Sequence, residues 1–313
     1  MSLKHALETA LLDASFAAVR ALPWRTSLGA GAALGETMMA WGLRHRVAAG
    51  NLTRAFPEWS EERRREVLRE HYRELGRVAV EYARLPELVA APAGEVIAEF
   101  RGLEHLDALR RQGRGAVMVS GHLGNFELLG GAVARHHPVD LVVRPLSNKA
   151  VEERMVRLRT RAGLGSLDAD RGVRGVVASL RAGRWVGFLA DQDVRRAGIF
   201  VPFLGTLAST AVGPARLSLA LRLPIVMGFC VRRPDGRHEI TMEPPIEPDE
   251  PESPAAIARL TARHVARLED WVRRRPESWF WLHRRWKTAP PAAAPEQEEE
   301  GSRASVRASR PLR

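Results

Sequence analysis

Residues 115–131, GAVMVSGHLGNFELLGG, hold an apolar run, a glycine-spaced turn and the start of a second apolar pattern. GAVMVS predicts a buried strand and NFELLGGAVAR a helix, with Gly121 and Gly124 supplying permissive backbone between them. Were His122 to Glu127 all helical, the five-residue offset would set the two side chains about 140° apart around the axis. A strand-to-helix turn removes that difficulty. It places His122 at the strand end and Glu127 in the first helical turn, pointing back toward the ring. A carboxylate on one imidazole nitrogen fixes the tautomer and leaves the other nitrogen as a general base. Backbone N–H groups at the helix start, with Asn125, are placed to hold an anionic oxygen. The same spacing also fits a plain helix start, with His122 as a cap and Glu127 as an exposed acid.

Working outward, short β-like runs alternate with helical stretches from residue 93 to 288. The runs are GAVMVS, LVVRP, RWVGFLAD, IFVPF, PIVMGFCV and HEITME, and the helical stretches lie near 125–135, 149–162, 172–182, 210–222 and 254–275. That alternation predicts an α/β fold with a mostly mixed central sheet covered by helices. Residues 1–92 read as a helical region, clearest in SEERRREVLREHYRELGRVAVEYARL. There Leu68, Tyr72, Leu75, Ala79 and Tyr82 keep apolar spacing and Ser60 is the expected N-cap. Residues 289–313 are Pro-rich, Ala-rich and then charged, and predict a disordered tail.

The chain has 313 residues, 45% of them hydrophobic, enough for a sizeable core. Its formal charge of +11 points to an anionic partner: nucleic acid, anionic lipid, a phosphorylated substrate or an acidic carrier protein. Cys230 is the single cysteine, so disulfides are excluded, and its apolar surroundings predict a buried, inert thiol. No apolar window has the length of a membrane span. Leu7, Leu11, Ala14, Ala18 and Leu22 instead form one helical stripe, flanked by Lys4, Arg20 and Arg25. The stripe suits either a helix lying in a bilayer interface or one packed on its own core. Glu8 and Asp13 break any signal-peptide pattern.

A nucleophile elbow G-x-S-x-G, the zinc motif H-E-x-x-H and a phosphate-binding G-x-x-x-x-G-K-[ST] are all missing. What remains for a histidine base is deprotonation of a substrate hydroxyl that attacks an activated acyl group. On the helix at 149–162, Met155, Leu158 and Ala162 form the apolar stripe, and Arg159 flanks it. Arg159 is therefore expected to point inward, while Arg154, Arg157 and Arg161 make a solvated basic face. With Arg144 at a strand end it is placed to clamp a phosphate group. Strand alternation sends Asp191 and Asp193 to one side, to orient the site arginines or hold an acceptor group. Ser209 and Thr210 are expected as caps of the following helix, and His283 is a weaker site candidate. No metal and no cofactor are expected.

Taken in order, H-x-x-x-x-E, VVRP at 142–145, RLRTRAG at 157–163, LADQD at 189–193, IFVPFLG at 199–205 and WFWLHRRWK at 279–287 resemble the bacterial lipid A late acyltransferases. RVAAGNLTRAFPEWS resembles the same family's entry into its domain. The resemblance implies a glycerolipid acyltransferase-like fold at the cytoplasmic face of the inner membrane, with acyl carrier protein or acyl-CoA as donor partner. It implies His122 as base, Glu127 as its acidic partner, and Arg144, Arg159, Asp191 and Asp193 as substrate-binding positions. The family's transmembrane helix is matched only by a broken, arginine-interrupted stretch, so peripheral attachment is expected. Three readings follow. The first is acyl transfer to a lipid A precursor. The second is the same chemistry on another glycolipid or a lysolipid. The third is a non-enzymatic basic protein that binds membranes, or nucleic acid, for which no recognised module is present.

Overall fold

The computed structural model describes residues 2–291, so most of the expected tail at 289–313 lies outside the described residues. All six apolar runs read as strands form strands: β2 (Ala116–Ser120), β3 (Val139–Val143), β5 (Trp185–Leu189), β6 (Ile199–Phe203), β8 (Ile225–Arg232) and β9 (His238–Met242). Three further strands carry weaker patterns: β1 (Ile97–Arg101), β4 (Leu164–Asp168) and β7 (Thr206–Thr210). In β4 the run LGSLD is built largely from poor strand formers, and only its place at the sheet edge supports it.

Seven strands make one mixed sheet in the order β1-β9-β8-β2-β5-β3-β4. Neighbours run parallel except β8 and β9, which are antiparallel. The C-terminal ends of β2, β3 and β5 therefore share one edge, where α/β sheets open crevices. Helices cover the sheet: α6 (Leu103–Arg111), α7 (Phe126–Ala134), α8 (Lys149–Arg161), α9 (Val173–Arg181), α10 (Gly213–Leu221) and α11 (Pro254–Arg274).

β6 and β7 form a separate hairpin that corrects one expectation. Ser209 and Thr210 end β7 rather than cap a helix, and α10 starts beyond them with Pro214 in its first turn. The hairpin turns on Leu204 and Gly205, at φ of 49° and 75°. Two left-handed residues suit the twist of a tight hairpin, but leucine is rarely found there. The Leu204 N–H is held at 2.7 Å by Glu269 of α11.

The N-terminal region is helical as expected: α1 (Leu3–Ala21), α2 (Trp24–Ala40), α3 (His45–Ala55), α4 (Glu61–Ala83) and the short α5 (Leu85–Ala90). Ser60 caps α4, its Oγ accepting from the Arg63 N–H at 3.1 Å. Leu68, Tyr72 and Val80 are buried, whereas Ala79 faces out. α2 crosses α4 backbone to backbone. A Cβ on Gly35 would stand 1.9 Å from the Tyr72 carbonyl oxygen, and one on Gly76 1.9 Å from that of Gly31. On α1 the stripe Leu7, Leu11, Ala14, Ala18 and Leu22 is exposed, so it does not pack on the protein's own core. Among the described residues no helix is long and apolar enough to cross a membrane.

Candidate active site

The turn between β2 and α7 is stitched to the sheet. Gly124 has a φ of +57° and lies so close to β8 that a Cβ would fall 1.9 Å from the Cys230 carbonyl oxygen. Its N–H donates to Ser278, that of Asn125 to Cys230 at 2.9 Å, and that of Phe280 to the His122 carbonyl at 2.9 Å. Cys230 is fully buried, as expected, and burial pushes its thiol pKa up.

Asp191, not Glu127, partners the His122 ring. β2 and β5 are paired in parallel register with Ser120 opposite Leu189, so two residues beyond the pairing His122 stands beside Asp191. Nδ1 of His122 lies 2.7 Å from Oδ1 of Asp191, and the His122 backbone N–H donates to Oδ2 at 2.7 Å. Trp279 Nε1 donates to the same oxygen at 2.8 Å. Burial raises the Asp191 pKa, but His122 and the hydrogen bonds outweigh it and hold it down at about 2. An ionised Asp191 accepts a hydrogen bond from Nδ1–H, which keeps the proton on Nδ1 and leaves the lone pair on Nε2. Burial lowers the His122 pKa, yet the charge and hydrogen bond of Asp191, with a smaller share from Glu127, raise it above the ordinary imidazole value. Gln192 brings its amide nitrogen 3.5 Å from His122 Nε2.

Glu127 points from the first turn of α7 toward α8 instead. Its carboxylate accepts from Arg159 Nε at 3.1 Å and from Nη2 at 2.6 Å, in a buried bidentate pair. Arg159 does face inward, and its guanidinium sits over the Tyr82 ring at 5.9 Å. Arg154, Arg157 and Arg161 instead pair with Asp13, Glu153 and Glu87. Arg144 is 82% exposed and 3.7 Å from Asp170, at the rim. Asn125 does not face an oxyanion. It caps α7, accepting from Leu128 N–H at 2.9 Å, and donates to the buried Glu81 at 2.8 Å.

Asp191 and Asp193 meet different partners beyond the end of β5 at Leu189. Asp193 accepts from the N–H and hydroxyl of Thr288 at 3.1 and 2.9 Å, tying the segment after Trp286 to the rim. Its own N–H donates to His283 Nε2 at 3.0 Å, and burial lowers the pKa of that histidine.

A cavity of about 1220 Å³ opens beside the His122 ring. Met118, Gly187 and Leu141 lie side by side on β2, β5 and β3 and line its floor, with Leu129 and Gly130 of α7 among the residues opposite. Arg144, Arg159 and Arg195 also line it. Tyr82, Gln192 and Arg195 were not singled out in the sequence. Tyr82 belonged to an apolar stripe, and Gln192 gains its place only through the pairing of β5 with β2. The His122–Asp191 pair, an apolar floor and three arginines thus border one cavity, an arrangement that suits a group-transfer enzyme.

Comparison with known proteins agrees. The chain matches the family described as bacterial lipid A biosynthesis acyltransferase over residues 4–288, and it belongs to that family. It is 30% identical over 280 residues to a lipid A biosynthesis lauroyltransferase of Escherichia coli (strain K12), covering 86% of this chain and 88% of the relative. A lipid A biosynthesis palmitoleoyltransferase of the same organism is 30% identical over 259 residues, 79% of this chain and 80% of the relative. A phosphatidylinositol mannoside acyltransferase of Mycobacterium tuberculosis (strain CDC 1551 / Oshkosh) is 31% identical over 134 residues, 41% of this chain and 42% of the relative. The protein is thus an O-acyltransferase, and the non-enzymatic reading is set aside.

Proposed function

We propose that the protein moves a fatty acyl chain from a carrier thioester, on acyl carrier protein or coenzyme A, to a hydroxyl of a lipid A precursor, with His122 and Asp191 as the base. The observation that carries this is the 2.7 Å contact between Asp191 and Nδ1, beside a cavity with an apolar floor and arginines on its lining. Nε2 of His122 takes the hydroxyl proton as the oxygen attacks the thioester carbonyl carbon. The carbon–sulfur bond then breaks, and the thiolate leaves with the proton from the imidazolium. Gln192 donates to the oxygen on which negative charge develops. Glu127 and Arg159 shape the wall, and Arg144 and Arg195 meet the acceptor's anionic groups. A second acceptor class, another glycolipid, is favoured by the phosphatidylinositol mannoside relative. Mass spectrometry of lipids from cells with and without the gene tests both readings. Loss of one acyl group from lipid A supports the first and the same loss from another glycolipid the second. Unchanged lipids would sink both.

The floor of the cavity sets the longest chain accepted. A Cβ on Gly130 would meet only the terminal methyls of Leu164, at 3.4 and 3.5 Å, and of Leu141, at 3.8 Å. Gly130→Leu should therefore keep the fold and shift donor preference toward shorter acyl chains, read as relative kcat/KM across a thioester series. An unchanged profile in an active variant would remove the chain from this trough.

We also propose peripheral attachment at the cytoplasmic face of the inner membrane through α1. Leu7 and Leu11 are exposed, with Lys4 and Arg20 on the same helix. Burying leucines in the headgroup boundary while arginines meet anionic lipid strengthens such binding. A Leu7→Glu, Leu11→Glu double variant should float less with anionic vesicles than the parent. Equal flotation would place the contact elsewhere.

A further inference from the structure

On the α11 side of the sheet a small chamber of about 10 Å³ is lined by Ser120, Asp191, His264, Leu268 and Arg285, among others. That is about the size of one water site. Arg285 is 1% exposed. Its Nη1 donates to the Ser209 carbonyl and its Nη2 to Thr210 Oγ1 at 2.6 Å, with the guanidinium 5.4 Å from the Phe203 ring centre. Among the described residues Arg285 has no carboxylate within ion-pair distance, and neither its Nε nor His264 Nε2 has a hydrogen-bond partner. The other buried arginines differ: Arg159 is matched by Glu127, and Arg232 by Glu74 and Glu81. A buried cation without a touching anion is costly, so a nearby charge must offset it through space. Burial lowers the Arg285 pKa to about 10, still cationic at neutral pH, and Asp191 and Asp193 are the charges that support it.

We propose that Arg285 is a positioning residue, a fixed positive charge behind Asp191 that opposes protonation of His122 Nε2. Asp191 draws a proton toward the imidazole, and Arg285 opposes it, so the ring stays a base nearer neutrality. The inference rests on His122 being the base, but its test needs no turnover. Other titratable groups around the pair are Glu127 of α7, His71 and Glu74 of α4, Glu277, Asp193, His264 of α11 and His283. Three of these carboxylates already have cations: Glu127 has Arg159, Glu74 has Arg232 and Glu277 has Arg275. Burial, and secondarily the charge of Arg285, holds His264 neutral, with its pKa at about 4.

The experiment is an NMR titration of the full chain labelled at histidine carbon, with the His122 signal assigned by its loss in His122→Gln. Two variants remove the charge by different routes. Arg285→Gln deletes it, and Thr210→Asp sets a carboxylate against the intact guanidinium. Both should raise the His122 pKa by about half a unit or more, whereas Arg285→Lys should leave it near the parent value. If either charge-removing variant keeps native circular dichroism yet leaves the His122 titration unmoved, the proposal is overturned. It is likewise overturned if Arg285→Lys shifts His122 as far as Arg285→Gln does. Should one variant fail to fold, the other decides. Absence of acyl transfer by the parent protein would sink the functional reading and still leave the titration to judge Arg285.

Discussion

Asp191→Asn should lower acyl transfer nearly as far as His122→Ala, on the order of 10²- to 10⁴-fold in kcat. An amide cannot hold Nδ1 as the protonated nitrogen with the strength of a buried carboxylate, so the lone pair on Nε2 is no longer assured. The pH dependence adds a second readout. In the parent protein the His122 pKa is raised, so the base form accumulates only above the ordinary imidazole range, and kcat/KM falls as pH drops through that raised value. Without the Asp191 charge the acid limb should move to lower pH while the plateau collapses. Glu127→Gln should behave differently. It loosens Arg159 and moves the limb down only slightly, since Glu127 contributes the smallest part of the shift. Were Glu127→Gln to displace the limb further than Asp191→Asn, the assignment of Asp191 would be wrong.

The second large effect concerns stability. Arg232 donates to Glu74 at 2.9 and 3.0 Å and to Glu81 at 2.7 Å, all three side chains buried between α4 and β8. Arg232→Met should cost about 3–5 kcal/mol in denaturant unfolding, because it leaves the buried Glu81 with His238 alone and Glu74 with only the Arg77 contact at 3.3 Å. The pH dependence fixes the sign. Burial raises the Glu81 pKa, but His238 and Arg232 outweigh it and hold it at about 2, below its ordinary value of 4.5. Glu81 thus adds stability above pH 4.5, and that stability is lost as pH falls toward 2. In the variant, Glu81 loses a cation and its folded pKa rises, so the gap between the two proteins should narrow in mild acid. A constant gap from neutral pH down to mild acid would mean that Glu81 is not what the substitution strands. Glu81 also holds Asn125, so the loss should reach the turn bearing His122.

The strand, glycine turn and helix around His122 were legible because each level agreed: an apolar run, permissive backbone, then a capped apolar helix. Arg159 was legible over Arg161 because the register of α8 decides which arginine borders the apolar stripe. The partner of His122 was not. Two strands 69 residues apart must lie side by side before Asp191 meets the ring, and strand order cannot be read from local pattern. The sequence offered Glu127 because it was near in the chain, and α7 turned it to Arg159. The β6–β7 hairpin was hidden by Leu204, whose left-handed backbone is held by contacts from α11 rather than by its own preference.

α2 and α4 cross at glycines. Gly31, Gly35 and Gly76 bring the two backbones into contact, and α4 also carries Tyr82 of the cavity wall and Glu81, which anchors the His122 turn. The leucine-bearing α1 is tied to the same helix, because Arg84 at the end of α4 donates to the Val19 and Leu22 carbonyls at 2.6 Å and Arg20 of α1 donates to the Ala83 carbonyl at 3.0 Å. With α1 seated on a membrane as proposed, the surface that receives it would set the height and tilt at which a lipid hydroxyl meets the imidazole, and orientation on that surface would become part of the catalytic geometry.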